Sequence, residues 1–220
     1  MRAAALRRIT ESGEGAFAIT ARDLRKKVRE RPASALIIFV VDASDSVGST
    51  PRMAVAKGAV LDLLTAAYQK RQRVGLIAFR ADEAEVLVPP TSSGTLANEC
   101  LQELATGGET PLADALFKAW QLVKTARLKD PDVEPLLVLL SDGDANVPRE
   151  PGADVAAELH ALARTIRDDH IHCVAIDTEA AIVQSEKMLR LADSLAATYH
   201  HVDQLRVKDV LETVRAATSE

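Results

Sequence analysis

The sequence predicts an α/β protein: a doubly wound, mostly parallel sheet with helices on both faces. Apolar runs such as residues 36–41 and 136–140 are short and bounded by turn residues, which is typical of strands buried on both sides. Segments with apolar residues at helical spacing separate these runs along the chain. Regular alternation of strand and helix builds a parallel sheet that helices cover on both faces, so we expect that architecture here.

The predicted elements follow one another from residue 36 onward. The predicted strands are residues 36–41, 74–79, 85–88, 136–140, 171–176 and 198–202. The predicted helices are residues 52–70, 97–104, 112–123, 155–166, 186–196 and 206–217. The third strand is expected to end at residue 88 because Pro89 and Pro90 follow it, and proline interrupts strand pairing.

Chain length and charge predict a basic N-terminal arm, residues 1–34, and one domain, residues 35–220. A chain of 220 residues is long enough for one well-packed domain and short for two. The arm holds nine Lys or Arg and four Asp or Glu, a net charge of +5. Because the whole chain has a net charge of −5, residues 35–220 carry −10. Its strand-like residues 16–20 precede a charged stretch. We expect the arm to dock on the acidic body or on a protein partner.

Composition excludes several other classes of protein. Aromatic residues are 3% of the chain and none lies in the basic cluster, so the base-stacking component of nucleic-acid binding is missing. Residues 1–10 include three arginines and do not form a signal peptide, and the apolar run 35–41 is too short to span a bilayer. Only Cys100 and Cys173 are present, which disfavours a disulfide framework. The sequence predicts a cytoplasmic protein that binds neither nucleic acid nor membrane.

Five oxygen-bearing side chains follow predicted strands or precede a predicted helix. They are Asp42, Ser44 and Ser46 after the first strand, Thr110 after a pair of glycines, and Asp142 after the fourth strand. In an open parallel sheet, ligands gather beyond the carboxyl ends of the strands, so one crevice can collect both acidic motifs. Hydroxyl and carboxylate oxygens without His or Cys suit a hard divalent cation such as Mg²⁺ or Mn²⁺.

Two of the five positions, Thr110 and Asp142, also have a structural alternative. Thr110 precedes Pro111, so it can be the N-cap of the helix that Pro111 opens. Ser49 or Thr50 before Pro51 fits the same role. Asp142 and Gly143 form a common turn pair. Because all the elements occur together, the metal interpretation is favoured.

Catalytic motifs are weaker. The chain has no Gly-x-x-x-x-Gly-Lys-Ser/Thr loop and no evident set of nucleophile, base and orienting group. A zinc site from His170, His172, Cys173 and the pair at 200–201 is disfavoured because alternate strand residues point to opposite faces. We predict no catalytic residue and no residue that binds an organic cofactor.

The five-residue pattern resembles the metal-ion-dependent adhesion site of the von Willebrand factor A domain, which has a Rossmann-like fold. The resemblance covers roughly residues 35–217. It implies that Asp42, Ser44, Ser46, Thr110 and Asp142 hold Mg²⁺ or Mn²⁺. It also implies an incomplete metal shell, which an Asp or Glu from a protein partner completes.

Further strings are similar to the C-terminal part of the magnesium-chelatase D subunit. They are residues 17–25, 39–44, 56–59, 76–80, 85–90 and 176–179. That subunit acts with a hexameric AAA+ ATPase that drives Mg²⁺ into protoporphyrin IX. One departure is Asp45, which stands where that family usually has Gly and adds a carboxylate beside the site.

The predicted function is therefore a non-catalytic, Mg²⁺-dependent protein-binding module. Its expected partner is an AAA+ ATPase of the chelatase type, in a complex that inserts metal into a tetrapyrrole. One alternative is an independent adhesion or scaffold A-domain that binds an unrelated protein. Another is a metal-dependent hydrolase, which needs a general base that the sequence does not identify.

Overall fold

The computed structural model describes residues 35–44, 51–70, 72–104, 107–179 and 185–202, with the backbone alone at 51–54, 56, 94 and 95. The strands are β1 Ala35–Asp42, β2 Arg73–Arg80, β3 Glu83–Thr91, β4 Glu134–Ser141, β5 His172–Asp177 and β6 Thr198–His201. The helices are α1 Pro51–Gln69, α2 Gly94–Gln102, α3 Leu112–Lys129, α4 Val155–Asp168 and α5 Glu186–Leu195. The predicted helix at 206–217 and the basic arm at 1–34 lie outside these ranges, so the domain boundary at residue 34 stays a prediction.

The described strands form one sheet with the order β3-β2-β1-β4-β5-β6. Every neighbouring pair is parallel except β2 with β3, which is antiparallel. All eight residues of β1 are buried, as its central place requires. The predicted α/β class with a mostly parallel sheet is confirmed.

Alternate residues of β1 point into two separate cores. Leu36, Ile38 and Val40 pack with residues of α3, α4 and α5 on one face. Ile37 and Phe39 pack with α1 and α2 on the other. Successive strand side chains point to opposite faces, so a continuous apolar run supplies both cores at once. The predicted helices on both faces are therefore present.

The prediction that the third strand ends at Val88 is wrong. β3 extends to Thr91 and includes both Pro89 and Pro90. It is an edge strand of the described sheet, and its pairing with β2 is irregular, with register shifts around Leu76. A proline is tolerated at an edge because its missing N–H removes no hydrogen bond from an interior ladder.

Side-chain caps begin two of the helices. Asp154 Oδ1 accepts a hydrogen bond from the Ala157 N–H at 2.8 Å at the start of α4. Ser185 caps α5 through the Met188 N–H at 3.2 Å. Among the helices that the structure describes, none has the length and apolarity that crossing a bilayer requires.

Candidate metal centre

Asp42 lies at the carboxyl end of β1 and is fully buried. Its Oδ1 accepts two hydrogen bonds from Ser44, one from the backbone N–H at 3.0 Å and one from the hydroxyl at 2.6 Å. Ser44 itself is 1% exposed. The spacing of two residues lets the chain turn back on the carboxylate, so the Asp-x-Ser part of the motif folds locally around Asp42.

The other carboxylate oxygen of Asp42 is held by a residue that the sequence analysis did not select. The hydroxyl of Ser141 donates to Asp42 Oδ2 at 2.7 Å, although 99 residues separate the two in sequence. The register that pairs Val41 with Leu140 brings Asp42 and Ser141 together at the carboxyl ends of two neighbouring strands, β1 and β4. Ser141 Oγ also accepts from the Gly143 N–H at 3.0 Å, so one hydroxyl connects Asp42 to the Asp142 loop.

The electrostatics of Asp42 are those of a buried anion. Burial raises the pKa of Asp42 to about 6, against the opposing effect of the hydrogen bonds from Ser44 and Ser141. The negative charge of Asp142 raises this pKa further. Among the described residues, no Lys, Arg or His forms an ion pair with either carboxylate. A bound cation would stabilise this arrangement, because it would neutralise two neighbouring negative charges.

Asp142 follows β4 and is half-buried. Its Oδ1 accepts from the Asp144 N–H at 2.9 Å, so the predicted Asp-Gly turn is present. Gly143 has φ +79°, and a Cβ there would lie 2.6 Å from the Met188 backbone nitrogen. The carbonyl of Asp142 accepts from Ser185 Oγ at 2.6 Å. The residue that caps α5 therefore also holds the Asp142 loop.

Thr110 lies in the loop before α3 and is 3% exposed. Its N–H donates to Asn146 Oδ1 at 2.7 Å, and its carbonyl accepts from the Asn146 N–H at 3.3 Å. The same loop is joined to the end of β1, where the Gly107 N–H donates to the Ala43 carbonyl at 2.8 Å. Hydrogen bonds thus attach the Thr110 loop to both of the other loops.

The alternative role of Thr110 as a helix N-cap is wrong. α3 begins at Leu112, its N-cap residue is Pro111, and no side chain caps it. The cap role predicted for Ser49 or Thr50 falls outside the described residues, as do Asp45 and the predicted ligand Ser46. Their roles remain predictions.

The described donors fit a hard cation better than a transition metal. Within the described part of the chain, no three or more His, Cys, Asp or Glu side chains form a group that could hold a metal. The two carboxylates, Asp42 and Asp142, are close enough for the charge of Asp142 to raise the pKa of Asp42, and the hydroxyls of Ser44 and Ser141 contact Asp42. Such a site relies on hydroxyl and water ligands, which suit Mg²⁺. The donor chemistry therefore fits Mg²⁺.

A second buried carboxylate, Asp177 at the end of β5, accepts hydrogen bonds from Glu179, Ser185 and Tyr199. Its Oδ1 accepts from the Glu179 N–H at 2.9 Å. Its Oδ2 accepts from the Ser185 N–H at 3.2 Å and from the Tyr199 hydroxyl at 2.5 Å. Burial, together with the hydrogen bond to Asp177, raises the pKa of Tyr199, which keeps this hydroxyl a donor. Asp177 thus positions Ser185, which in turn holds Asp142.

Comparison with known proteins assigns the family. A family model of the von Willebrand factor type A domain matches residues 37–145. The chain belongs to the von Willebrand factor type A domain family. The matched residues run from β1 through the Asp142 loop and include all five predicted ligands, of which all but Ser46 lie in the described part of the chain.

Curated relatives of this A-domain chain include magnesium-chelatase subunits. It is 36% identical to the magnesium-chelatase 67 kDa subunit of Chlorobaculum parvum, covering 90% of this chain and 33% of the relative. It is 33% identical to the magnesium-chelatase 60 kDa subunit of Rhodobacter capsulatus, covering 93% of this chain and 36% of the relative. It is also 34% identical to an uncharacterised protein of Methanocaldococcus jannaschii, covering 77% and 97%. The chain spans about a third of the length of the chelatase relatives.

Solved structures confirm the A-domain fold. A von Willebrand factor type A protein from Catenulispora acidiphila has a TM-score of 0.59 at 18% identity, covering 85% of this chain and 42% of that one. The BatB protein from Bacteroides thetaiotaomicron has a TM-score of 0.63 at 16% identity, covering 85% and 100%. At these identities the similarity shows the fold alone.

Proposed function

We propose that this A-domain is a Mg²⁺-dependent protein-binding module. The proposed ligands are Asp42, Ser44, Ser46, Thr110 and Asp142, with Mn²⁺ as an alternative ion. The observation that carries the proposal is the buried carboxylate of Asp42, which is hydrogen-bonded by two serine hydroxyls and lies within electrostatic range of Asp142. Such an anion is costly to bury without a cation.

The proposed partner is an AAA+ ATPase of the chelatase type. The magnesium-chelatase names of the relatives support this choice. An Asp or Glu of the ATPase would complete the metal shell, because protein side chains and water leave one position open to a carboxylate. The ion then joins two surfaces that have no strong contact without it, in a complex that inserts metal into a tetrapyrrole.

In that complex the chain itself is proposed to be non-catalytic. His160 and Ser194 lie in hydrogen-bond contact, with 2.8 Å between Nδ1 and Oγ. The serine hydroxyl, however, donates to the Arg190 carbonyl at 3.0 Å. While the serine hydroxyl donates to this carbonyl, the hydrogen of the His160–Ser194 contact comes from the imidazole, and in that arrangement His160 does not act as a base toward the serine. Both cysteines are free, which fits the reducing cytoplasm that we propose as its compartment.

Mg²⁺ binding is tested first, by isothermal titration calorimetry on the metal-free chain. Asp42→Ala and Asp142→Ala should abolish Mg²⁺ binding and leave the far-ultraviolet circular dichroism spectrum unchanged. Asp168→Asn is the matched control, since it removes an exposed carboxylate at the end of α4. Equal Mg²⁺ affinity in the parent and in Asp42→Ala would refute the site.

Partner binding is tested next with a purified chelatase-type ATPase from the same cell. The parent chain should bind it in Mg²⁺ but not in excess chelator, and Asp42→Ala should not bind. Mg²⁺ binding without any ATPase binding would favour the alternative, an independent adhesion or scaffold A-domain. Binding that is equally strong in chelator would contradict a bridging metal ion.

A further inference from the structure

A groove of about 730 Å³ lies between the β2–β3 hairpin and α2. Its apolar lining comes from the buried Ala78 and the half-buried Leu87, Cys100 and Leu104. Its charged lining is exposed to solvent and consists of Arg80, Asp82, Glu83, Glu85 and Glu103. The groove therefore combines an apolar floor with an acidic rim.

The local structure explains why this groove is open. Glu83, Glu85 and Leu87 alternate along β3, so they lie on the same face of the strand. α2 covers this side of the sheet, but it has only nine residues, with Ala97 and Leu101 in the core. Leu87 packs against that core, while Glu83 and Glu85 extend beyond it into solvent.

The groove is adjacent to the candidate metal centre. Ala81, which lines the groove, packs against the loop that carries Thr110, since a Cβ on Gly108 would lie 3.0 Å from the Ala81 Cα. Ala81 also follows β2, whose Phe79 carbonyl accepts from the Ala43 N–H at 3.0 Å, one residue beyond Asp42. A protein segment bound at the candidate metal centre would therefore lie next to the groove.

Charge identifies the kind of segment that fits. Four carboxylates and one guanidinium line the groove, a net charge of −3 (4 negative, 1 positive). None of these five side chains forms an ion pair with another described residue. A Lys or Arg side chain complements the rim, and an adjacent apolar side chain covers Leu87 and Leu104.

We propose that this groove docks a basic, partly apolar segment of the same protein partner whose carboxylate completes the metal shell. The inference rests on the proposed function and specifies its partner: an Asp or Glu at the metal, with Lys or Arg and an apolar residue close by on the same surface. The metal contact orients the partner. The groove makes binding specific, because an exposed carboxylate without a basic and an apolar neighbour would bind less tightly.

The first experiment reverses the charge of the rim. Glu83→Lys combined with Glu85→Lys should weaken binding of the purified chelatase-type ATPase by about tenfold or more at saturating Mg²⁺, because like charges then face the basic segment. Asp168→Lys is the matched control and should bind as the parent does. Mg²⁺ titration of each variant confirms that the metal site is still filled. ATPase affinity of the double variant within about twofold of the parent would overturn the inference.

The second experiment uses Cys100, which lines the groove, as a reporter. Alkylation by iodoacetamide, followed by peptide mass spectrometry, should modify Cys100 in the free chain and should slow when the ATPase is bound. Cys173 is buried and serves as an internal reference for unfolding. An equal rate in the complex, or a Cys100 that is already protected in the free chain, would overturn the inference.

The two experiments separate this inference from the proposed function. If the parent binds the ATPase, Asp42→Ala does not, and the double variant binds as the parent does, only the groove assignment fails. If the parent does not bind the ATPase in Mg²⁺, the proposed partner is wrong, and the groove assignment is overturned with it.

Discussion

At the scale of single residues, the candidate metal centre depends on side chains that position the proposed ligands. Ser185 is one of them. Its hydroxyl donates to the Asp142 carbonyl at 2.6 Å and accepts from the Met188 N–H at 3.2 Å. Its own N–H donates to Asp177. One serine thus connects the start of α5, the end of β5 and the Asp142 loop.

Ser185→Ala should therefore weaken Mg²⁺ binding although Ser185 is not a proposed ligand. Losing the cap should also cost about 1 kcal/mol of unfolding free energy. Ser185→Thr keeps the hydroxyl and should restore Mg²⁺ affinity. The measurements are calorimetric Mg²⁺ titration and urea unfolding. A Ser185→Ala variant that loses stability but binds Mg²⁺ as the parent does would show a structural role only.

Cys173 should make the stability of the folded chain depend on pH. Burial raises the pKa of the Cys173 thiol from 9.0 to about 12. The unfolded thiol ionises at lower pH than the folded one, so the stability contributed by Cys173 is full below pH 9 and is lost as pH rises towards 12.

Unfolding free energies at pH 8 and pH 10 test this prediction. The parent should lose on the order of 1 kcal/mol more between these values than Cys173→Ala, in which the titrating group is absent. Subtracting the variant removes the contribution of every other group that titrates in this range. Equal losses in the two proteins would show that Cys173 does not ionise differently on folding.

At the scale of elements, the apolar residues of the strands form the two cores, and the ends of the strands carry the proposed ligands and the residues that hold them. Leu139 in β4 is fully buried in the core that α3, α4 and α5 cover. It lies two residues before Ser141, whose hydroxyl holds Asp42. β4 therefore supplies both a core residue, Leu139, and the hydroxyl that holds the proposed ligand Asp42.

Leu139→Ala should reduce the unfolding free energy by roughly 2–5 kcal/mol, because it opens a cavity in a packed core. The fraction that remains folded should still bind Mg²⁺. Urea unfolding in chelator measures the first effect, and Mg²⁺ titration well below the melting temperature measures the second. A stable variant that has lost Mg²⁺ binding would contradict this separation.

At the scale of the whole molecule, the metal should stabilise the folded chain. A ligand that binds only the folded state contributes about 2.7 kcal/mol at a hundred times its dissociation constant. The melting temperature should rise with Mg²⁺ in the parent and stay constant in Asp42→Ala. Equal melting curves of the parent in Mg²⁺ and in chelator would count against the metal centre.

The basic arm remains a prediction at this scale, since residues 1–34 are outside the described part of the chain. Its net charge of +5 contrasts with −10 in the rest of the chain. Deleting the arm should weaken ATPase association and leave Mg²⁺ binding intact. The difference should shrink as salt is added, because exposed charges are screened beyond about 8 Å at physiological ionic strength. Unchanged association at low salt would contradict a role in partner binding.

The sequence by itself determined the class of fold and the oxygen-bearing motif at the end of β1. Runs such as residues 36–41 are apolar throughout, which is typical of a strand buried on both faces. The Asp-x-Ser spacing is equally local, since two residues of chain separate Asp42 from the Ser44 groups that donate hydrogen bonds to it. Both features depend on residues that are close in the chain.

Only the tertiary structure decided how the loops join. Ser141 contacts Asp42 across 99 residues of sequence, and Asn146 holds Thr110 across 36. The course of β3 through Pro89 and Pro90 likewise depends on its place at the edge of the sheet. Strand order, register and side-chain direction bring these residues together, and the spacing of residues along the chain does not reveal any of the three.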